Sequence, residues 1–150
     1  MFEVLNAVGG TEHSIATAVT AGTWHFGCVT WASSSMYLYL DGKQSNSNAY
    51  GTTDALDWSA MFYIGNRGTG FQAWLGQIAN VQIYNTSLSA SEIQALYLEG
   101  IGGAPFELQN LVGWYPLNGN ANDYSGNGNN GQAIGGVTYT NSWTSGYTTP

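Results

Sequence analysis

The chain has 150 residues, enough for one ordinary domain. Two Lys/Arg against nine Asp/Glu give a formal charge of −7, and charged residues make up 7% of the chain, where a soluble domain usually has roughly a quarter. Lys43 and Arg67 cannot form a cationic patch, which excludes nucleic acid and a polybasic membrane anchor as partners. No apolar run of about 18 residues exists, so direct membrane insertion is not expected.

The polar surface must come from uncharged groups: 14 Asn, 13 Ser and 14 Thr. Hydrophobic residues at 43% and aromatics at 14% are ample for a core, and 21 glycines point to many tight turns. The opening MFEVLNAVGGTEHS has neither the basic start nor the apolar stretch of a signal peptide. Cys28 stands alone in HFGCVTW, which excludes an intrachain disulfide and reads as a small buried hydrophobe.

Period-two segments dominate. Residues 2–7 and 14–19 are short candidate strands. Residues 23–31 (TWHFGCVTW) form a longer one, with Trp24, Phe26, Cys28 and Thr30 on one face and His25 on the other. Residues 36–40 (MYLYL) run into Asp41-Gly42, a pair that supplies the positive φ of a hairpin turn. Further strands are expected at 62–64, 77–84, 111–115, 132–134 and 137–139. The total, about ten, predicts a two-sheet antiparallel β-sandwich of jelly-roll type.

One helix is expected within LSASEIQALYLEG, residues 88–100. Ser89 and Glu92 spell a capping box, Ile93, Leu96 and Tyr97 make one apolar stripe, and Gly100 suits the stop. Residues 101–109 read as a Gly-rich linker, and 118–131 (NGNANDYSGNGNNG) as a solvated loop of Asn-Gly turns. No internal repeat is present.

Four segments together resemble the laminin-G-like, concanavalin-A-like family of sandwiches: TWHFGCVTW, MYLYLDGK, the stretch 71–97 closing on a Leu-Ser-Ala…Glu-Ile helix, and LVGWYPLNGNANDYSGNGNNG. In that family the last segment opens a domain and the Leu-Ser-Ala segment closes one; here the closing part comes first. The resemblance therefore implies residues 1–100 as the closing portion of a module and 110–150 as opening strands of the same fold. Either the chain is permuted or it is a slice of a tandem array. In both cases residues 111–115 should pair beside 77–84, in the same chain or in a neighbouring copy.

The resemblance implies an extracellular or cell-surface module for recognition or adhesion, with a glycan or a cell-surface protein as partner. An alternative is a structural subunit of a filament or array, built by strand exchange between copies of the chain. A glycoside hydrolase is the third reading. It needs paired carboxylates about 5 Å apart in alternating strand positions, and Asp54 and Asp57 in TTDALDW are wrongly spaced for that. His13 and His25 stand in no recognisable catalytic setting, so no enzyme is expected.

Sugars stack on flat rings and bond to side-chain amides. Trp31, Trp58, Trp74 and Trp143 lie near turns, while Trp24 and Trp114 look like core residues. The candidate ligand-binding loop is GNRGTGFQAW, with Asn66, Arg67, Gln72 and Trp74. Calcium wants six to eight hard oxygens; the resemblance offers Asp123, Asn127 and Asn80, with Asn129 beside them. The other reading has Asp123 and Ser125 fixing a turn by bonds to backbone. Asn85-Thr86-Ser87 is an N-glycosylation sequon.

Overall fold

A computed structural model describes residues 2–8, 11–32, 34–49, 62–66 and 73–140, and the side chains of these from residue 14 onward. Seven strands and one α-helix make up its regular structure: β1 (Phe2–Val8), β2 (Thr11–Thr17), β3 (Gly27–Ala32), β4 (Ser35–Leu40), β5 (Lys43–Ala49), β6 (Val81–Tyr84), α1 (Ala90–Glu99) and β7 (Leu111–Tyr115). All pairing is antiparallel, in a β1–β2 hairpin, a β3–β4–β5 sheet and a β6–β7 pair. The fold is all-β with a single short helix, the class expected from the alternating pattern.

The central strand of the three-stranded sheet, β4, packs into a core on each face. Its even positions, Met36 and Leu38, are fully buried and pack with Ile15 of β2 and with Val29 and Trp31 of β3. Its odd positions, Tyr37 and Tyr39, turn the other way, toward Leu88, Ile93 and Leu96 at the helix, with Phe26, Cys28, Tyr84 and Phe106 around them. Successive strand side chains point to opposite faces, so one six-residue strand serves two cores.

Helix α1 begins as its sequence dictates. The Glu92 amide donates to the Ser89 hydroxyl at 3.3 Å, and the Ser89 amide donates to Glu92 Oε2 at 2.7 Å, which closes the capping box. The helix ends at Gly100 with φ 75° and ψ −166°, a conformation open in practice only to glycine, and the Gly100 amide returns to the Tyr97 carbonyl. Its stripe, Ile93 and Leu96, fills the core.

The β4–β5 turn has Asp41 at φ 51° and Gly42 at φ 75°, the two positive values of a type I′ hairpin. Strand β5 itself (KQSNSNA) carries no apolar alternation and is exposed along its whole length; no periodicity signalled it.

Several expected elements are shorter or absent. The strand expected at 23–31 begins only at Gly27, because Asp41 replaces a ladder partner: the Phe26 amide donates to Asp41 Oδ1 at 3.0 Å and the Asp41 amide to the Phe26 carbonyl at 2.9 Å. The strand expected at 77–84 starts at Val81, since Asn80 sits at φ 52°, off the extended backbone. Residues 62–64, 132–134 and 137–139 are not strands; no described strand pairs with them, and the last two flank the glycine pair 135–136.

The expected linker 101–109 is packed rather than loose. Gly103 and Pro105 are buried, Phe106 joins the core, and a single 3₁₀ turn, Leu108–Asn110, delivers the chain into β7. There β7 pairs with β6 of the same chain: Val81 faces Tyr115, Gln82 faces Trp114 and Ile83 faces Gly113.

Candidate functional site

Two short segments meet to form an exposed aromatic edge. The Trp74 amide donates to the Gly65 carbonyl at 2.7 Å, and its indole Nε1 donates to the Gln77 carbonyl at 3.3 Å. Gly65 lies against Ile78, whose Cδ1 is 3.2 Å from where a Cβ would stand. Trp74, 40% exposed, is thereby tied to Gly65, and the three residues before that glycine are exposed as well, Phe62 at 60%, Tyr63 at 41% and Ile64 at 36%. Of the four residues expected to bind ligand, Asn66 and Trp74 are both exposed and share this edge. Arg67 and Gln72 lie outside the described residues, as do Asp54, Asp57, Trp58 and Trp143. Trp31 packs onto the Met36–Leu38 side of the sheet and is not part of the edge.

The residues expected to hold calcium are engaged differently. Both Asp123 oxygens accept backbone N–H groups: Oδ1 from Trp114 at 3.0 Å and Ser125 at 2.8 Å, Oδ2 from Asn129 at 2.9 Å. Partial burial works to raise the Asp123 carboxyl, but these donors and the Ser125 hydroxyl outweigh it and hold the group at about 2. Asn127 turns its Nδ2 toward the Leu111 carbonyl at 2.7 Å, and Asn129 its Nδ2 toward Val112 at 2.9 Å. Asn80 Oδ1 accepts from Trp114 Nε1 at 2.8 Å and Gln82 Nε2 at 3.2 Å. A hard cation needs converging oxygens; the Asp123 and Asn80 oxygens face N–H donors, and Asn127 and Asn129 present their Nδ2 groups to the β7 carbonyls. Among the described residues no three His, Cys, Asp or Glu converge.

A polar array not anticipated from sequence joins His25 to the β4–β5 turn. His25 Nδ1 lies 2.9 Å from Asp41 Oδ2, and its Nε2 lies 3.1 Å from Thr23 Oγ1. The spacing resembles a nucleophile–base–acid row, but the Thr23 hydroxyl gives its one hydrogen to the Thr20 carbonyl at 3.2 Å. The array is a cross-link that holds residues 20–26 against the turn. Asp-Gly at the turn and His two residues after Thr were the available signals; what they lacked was the register that brings positions 25 and 41 together.

Cys28 is partly buried against the Tyr39–Ile93–Leu96 core, and burial pushes its thiol up to about 12. Burial likewise raises the neighbouring Tyr84 phenol to about 12. Neither is a nucleophile at neutral pH. Asn85 of the sequon is exposed just after β6, its amide bonded to the Asn110 carbonyl at 2.9 Å, and the Ser87 hydroxyl is bonded to the Trp31 carbonyl.

Antiparallel sheets, a central strand that serves two cores, a type I′ Asp-Gly turn and one capped helix define an all-β module of the lectin-like sandwich class. The chain belongs to the concanavalin A-like lectin/glucanases superfamily, whose family model matches residues 2–94. Among solved structures it is similar to an S-layer domain-containing protein from Clostridium thermocellum (residues 221–444), with 26% identity and a TM-score of 0.45. That match covers 57% of this chain and 45% of the other, so the chain spans under half the length of that structure. No curated protein matches the chain.

Proposed function

We propose that the chain is a non-catalytic recognition module of an extracellular or cell-surface protein, holding an uncharged glycan on the Phe62–Tyr63–Trp74 edge. The observation that carries this reading is the Trp74 amide bond to the Gly65 carbonyl at 2.7 Å, which ties an exposed indole to a segment whose Phe62 and Tyr63 are also exposed. Exposed rings supply the flat surfaces on which sugars stack. Charged residues at 7% of the chain favour a neutral ligand over an ionic one.

The reading as a binding module rather than a glycosidase is supported by the use already made of its carboxylates. Asp41 holds His25, Glu92 caps the helix, Glu107 holds Asn110 and Asp123 holds three amides. The exposed Asn85 sequon agrees with an outer-surface location.

The test is a printed glycan array probed with the fluorescently labelled chain, followed by calorimetric titration of the best sugar. Trp74→Ala should weaken binding at least tenfold with the melting temperature unchanged. An array without signal, or a Trp74→Ala variant that binds as before, rejects the edge. Melting temperatures in calcium and in chelator should agree, because no calcium contributes to the proposed edge.

A further inference from the structure

The segment expected to be a solvated loop is bonded along the free edge of β7. In an antiparallel pair, alternate residues aim their N–H and C=O at the partner and the intervening ones aim away. For β7 the groups shown facing away from β6 are the Trp114 amide and carbonyl and the carbonyl of Val112, the extra residue at the register shift opposite Ile83–Tyr84, and residues 123–129 meet them. The Trp114 amide donates to Asp123 Oδ1 at 3.0 Å, and the Tyr124 amide donates to the Trp114 carbonyl at 2.8 Å. The Val112 carbonyl accepts from Asn129 Nδ2 at 2.9 Å, Asn127 Nδ2 at 3.2 Å and Ser125 Oγ at 3.3 Å. The Tyr115 hydroxyl adds a bond to the Asn129 carbonyl at 2.7 Å.

Side chains here stand where a neighbouring strand would. The same device recurs on the free edge of β2: Asn46 Nδ2 donates to the Ala16 carbonyl at 2.9 Å and Asn48 Nδ2 to the Ser14 carbonyl at 3.2 Å. Asn46 and Asn48 share one side of extended β5, whereas Asn127 and Asn129 are brought to β7 through the left-handed Gly128 between them, at φ 76°.

We propose that residues 123–129 are an edge guard that keeps the chain monomeric, and that its release lets β7 pair with β7 of a second copy. The strand LVGWY has no charge and no proline, and it is rich in β-branched and aromatic residues, the composition of an edge that self-pairs when exposed. The geometry selects the partner. A twofold axis through Gly113 sets Val112 of one copy opposite Trp114 of the other. The Trp114 amide then meets the second copy's Val112 carbonyl, and the Trp114 carbonyl meets its Val112 amide. The Val112 carbonyl and both Trp114 groups are those the guard occupies, so guard and second copy exclude each other. The device uses no residue of the aromatic edge at Trp74, and it stands or falls separately.

The experiment is sedimentation of the full chain and of Asn127→Asp/Asn129→Asp, in which carboxylates, lacking donors, face the Leu111 and Val112 carbonyls. The wild type should sediment as a monomer and the double variant, with an unchanged circular dichroism spectrum, at twice that mass. Adding Val112→Pro removes the outward amide without touching a β6 pair and should restore the monomer. Where the aspartates abolish folding, Asn127→Ala/Asn129→Ala reads the same equilibrium more gently. A folded double variant that stays monomeric, a wild type already dimeric, or a dimer that survives Val112→Pro each overturns the proposal.

Discussion

The indole Nε1 of Trp114 donates to Oδ1 of Asn80 at 2.8 Å, joining residues 34 apart in sequence at the point where β6 and β7 begin to pair. Asn80 completes the junction with its other groups. Its amide donates to the Pro116 carbonyl at 3.1 Å, and its Nδ2 donates to the Gly103 carbonyl at 2.9 Å. One residue therefore ties together β6, the packed 101–109 segment, β7 and, through its backbone, the turn after it.

Asn80→Ala should lower stability by about 2–4 kcal/mol in urea unfolding. It leaves the half-buried Trp114 indole, the Gln82 amide and the Gly103 carbonyl with fewer partners, at about 1–3 kcal/mol for each group stranded without water. It also places alanine at φ 52°, which asparagine tolerates better. A loss under about 0.5 kcal/mol would show that water replaces the bonds and that the junction is not held by this residue.

What could be read in the sequence follows from which interactions are local. The capping box needs only Ser89 and Glu92, and the Asp41-Gly42 turn needs only two residues, so both were legible. So was β7, whose partner was identified near 77–84 through family resemblance. Strand β5 was invisible because its seven residues, six of them polar, have no alternation to detect. The guard at 123–129 was read as solvent-exposed because Asn-Gly repeats look alike whether their amides bond to water or to a strand edge. Likewise the His25–Asp41 contact depends on hairpin register, which no single segment encodes.

Gly42 packs under the helix. A Cβ there would stand 2.8 Å from Gln94 Oε1 and 2.8 Å from Tyr97 Cδ1, at φ +75°. Gly22 has a comparable φ of +81° but nothing within 4 Å. Alanine at Gly22 should cost about 1–2 kcal/mol for the left-handed backbone alone. Alanine at Gly42 should cost that and roughly 1–3 kcal/mol more for displaced helix side chains. Equal losses in denaturant titrations of the two variants would mean that α1 shifts away freely and does not lean on the turn.

Cys28 should be silent to thiol reagents while the chain is folded. With its thiol raised to about 12 by burial, only ~10⁻⁴ of it is thiolate at pH 8, and the surrounding Phe26, Tyr39 and helix residues block approach. Ellman's reagent should react with one thiol per chain in strong denaturant and with none over an hour in buffer. Rapid reaction of the native chain would place Cys28 outside the core.

Acid should loosen the chain through Asp123. Its carboxyl is held at about 2, below the ordinary aspartate value of about 4, so the native state favours the ionised form. The resulting stabilisation is fully present above the unfolded value and is lost as pH falls from about 4 through 2. Glu92, lowered by its bonds to Ser89, acts in the same direction. With so few ionisable groups, urea midpoints should stay nearly level from pH 8 to about 5 and then decline. Asp123→Asn should lower the midpoint at neutral pH and flatten the decline, because the amide cannot accept three N–H groups in the same geometry and no longer titrates. If the neutral-pH midpoint is unchanged, or if the acid decline is as steep without Asp123, the three amide bonds do not stabilise the β7 edge and the carboxylate is not its anchor.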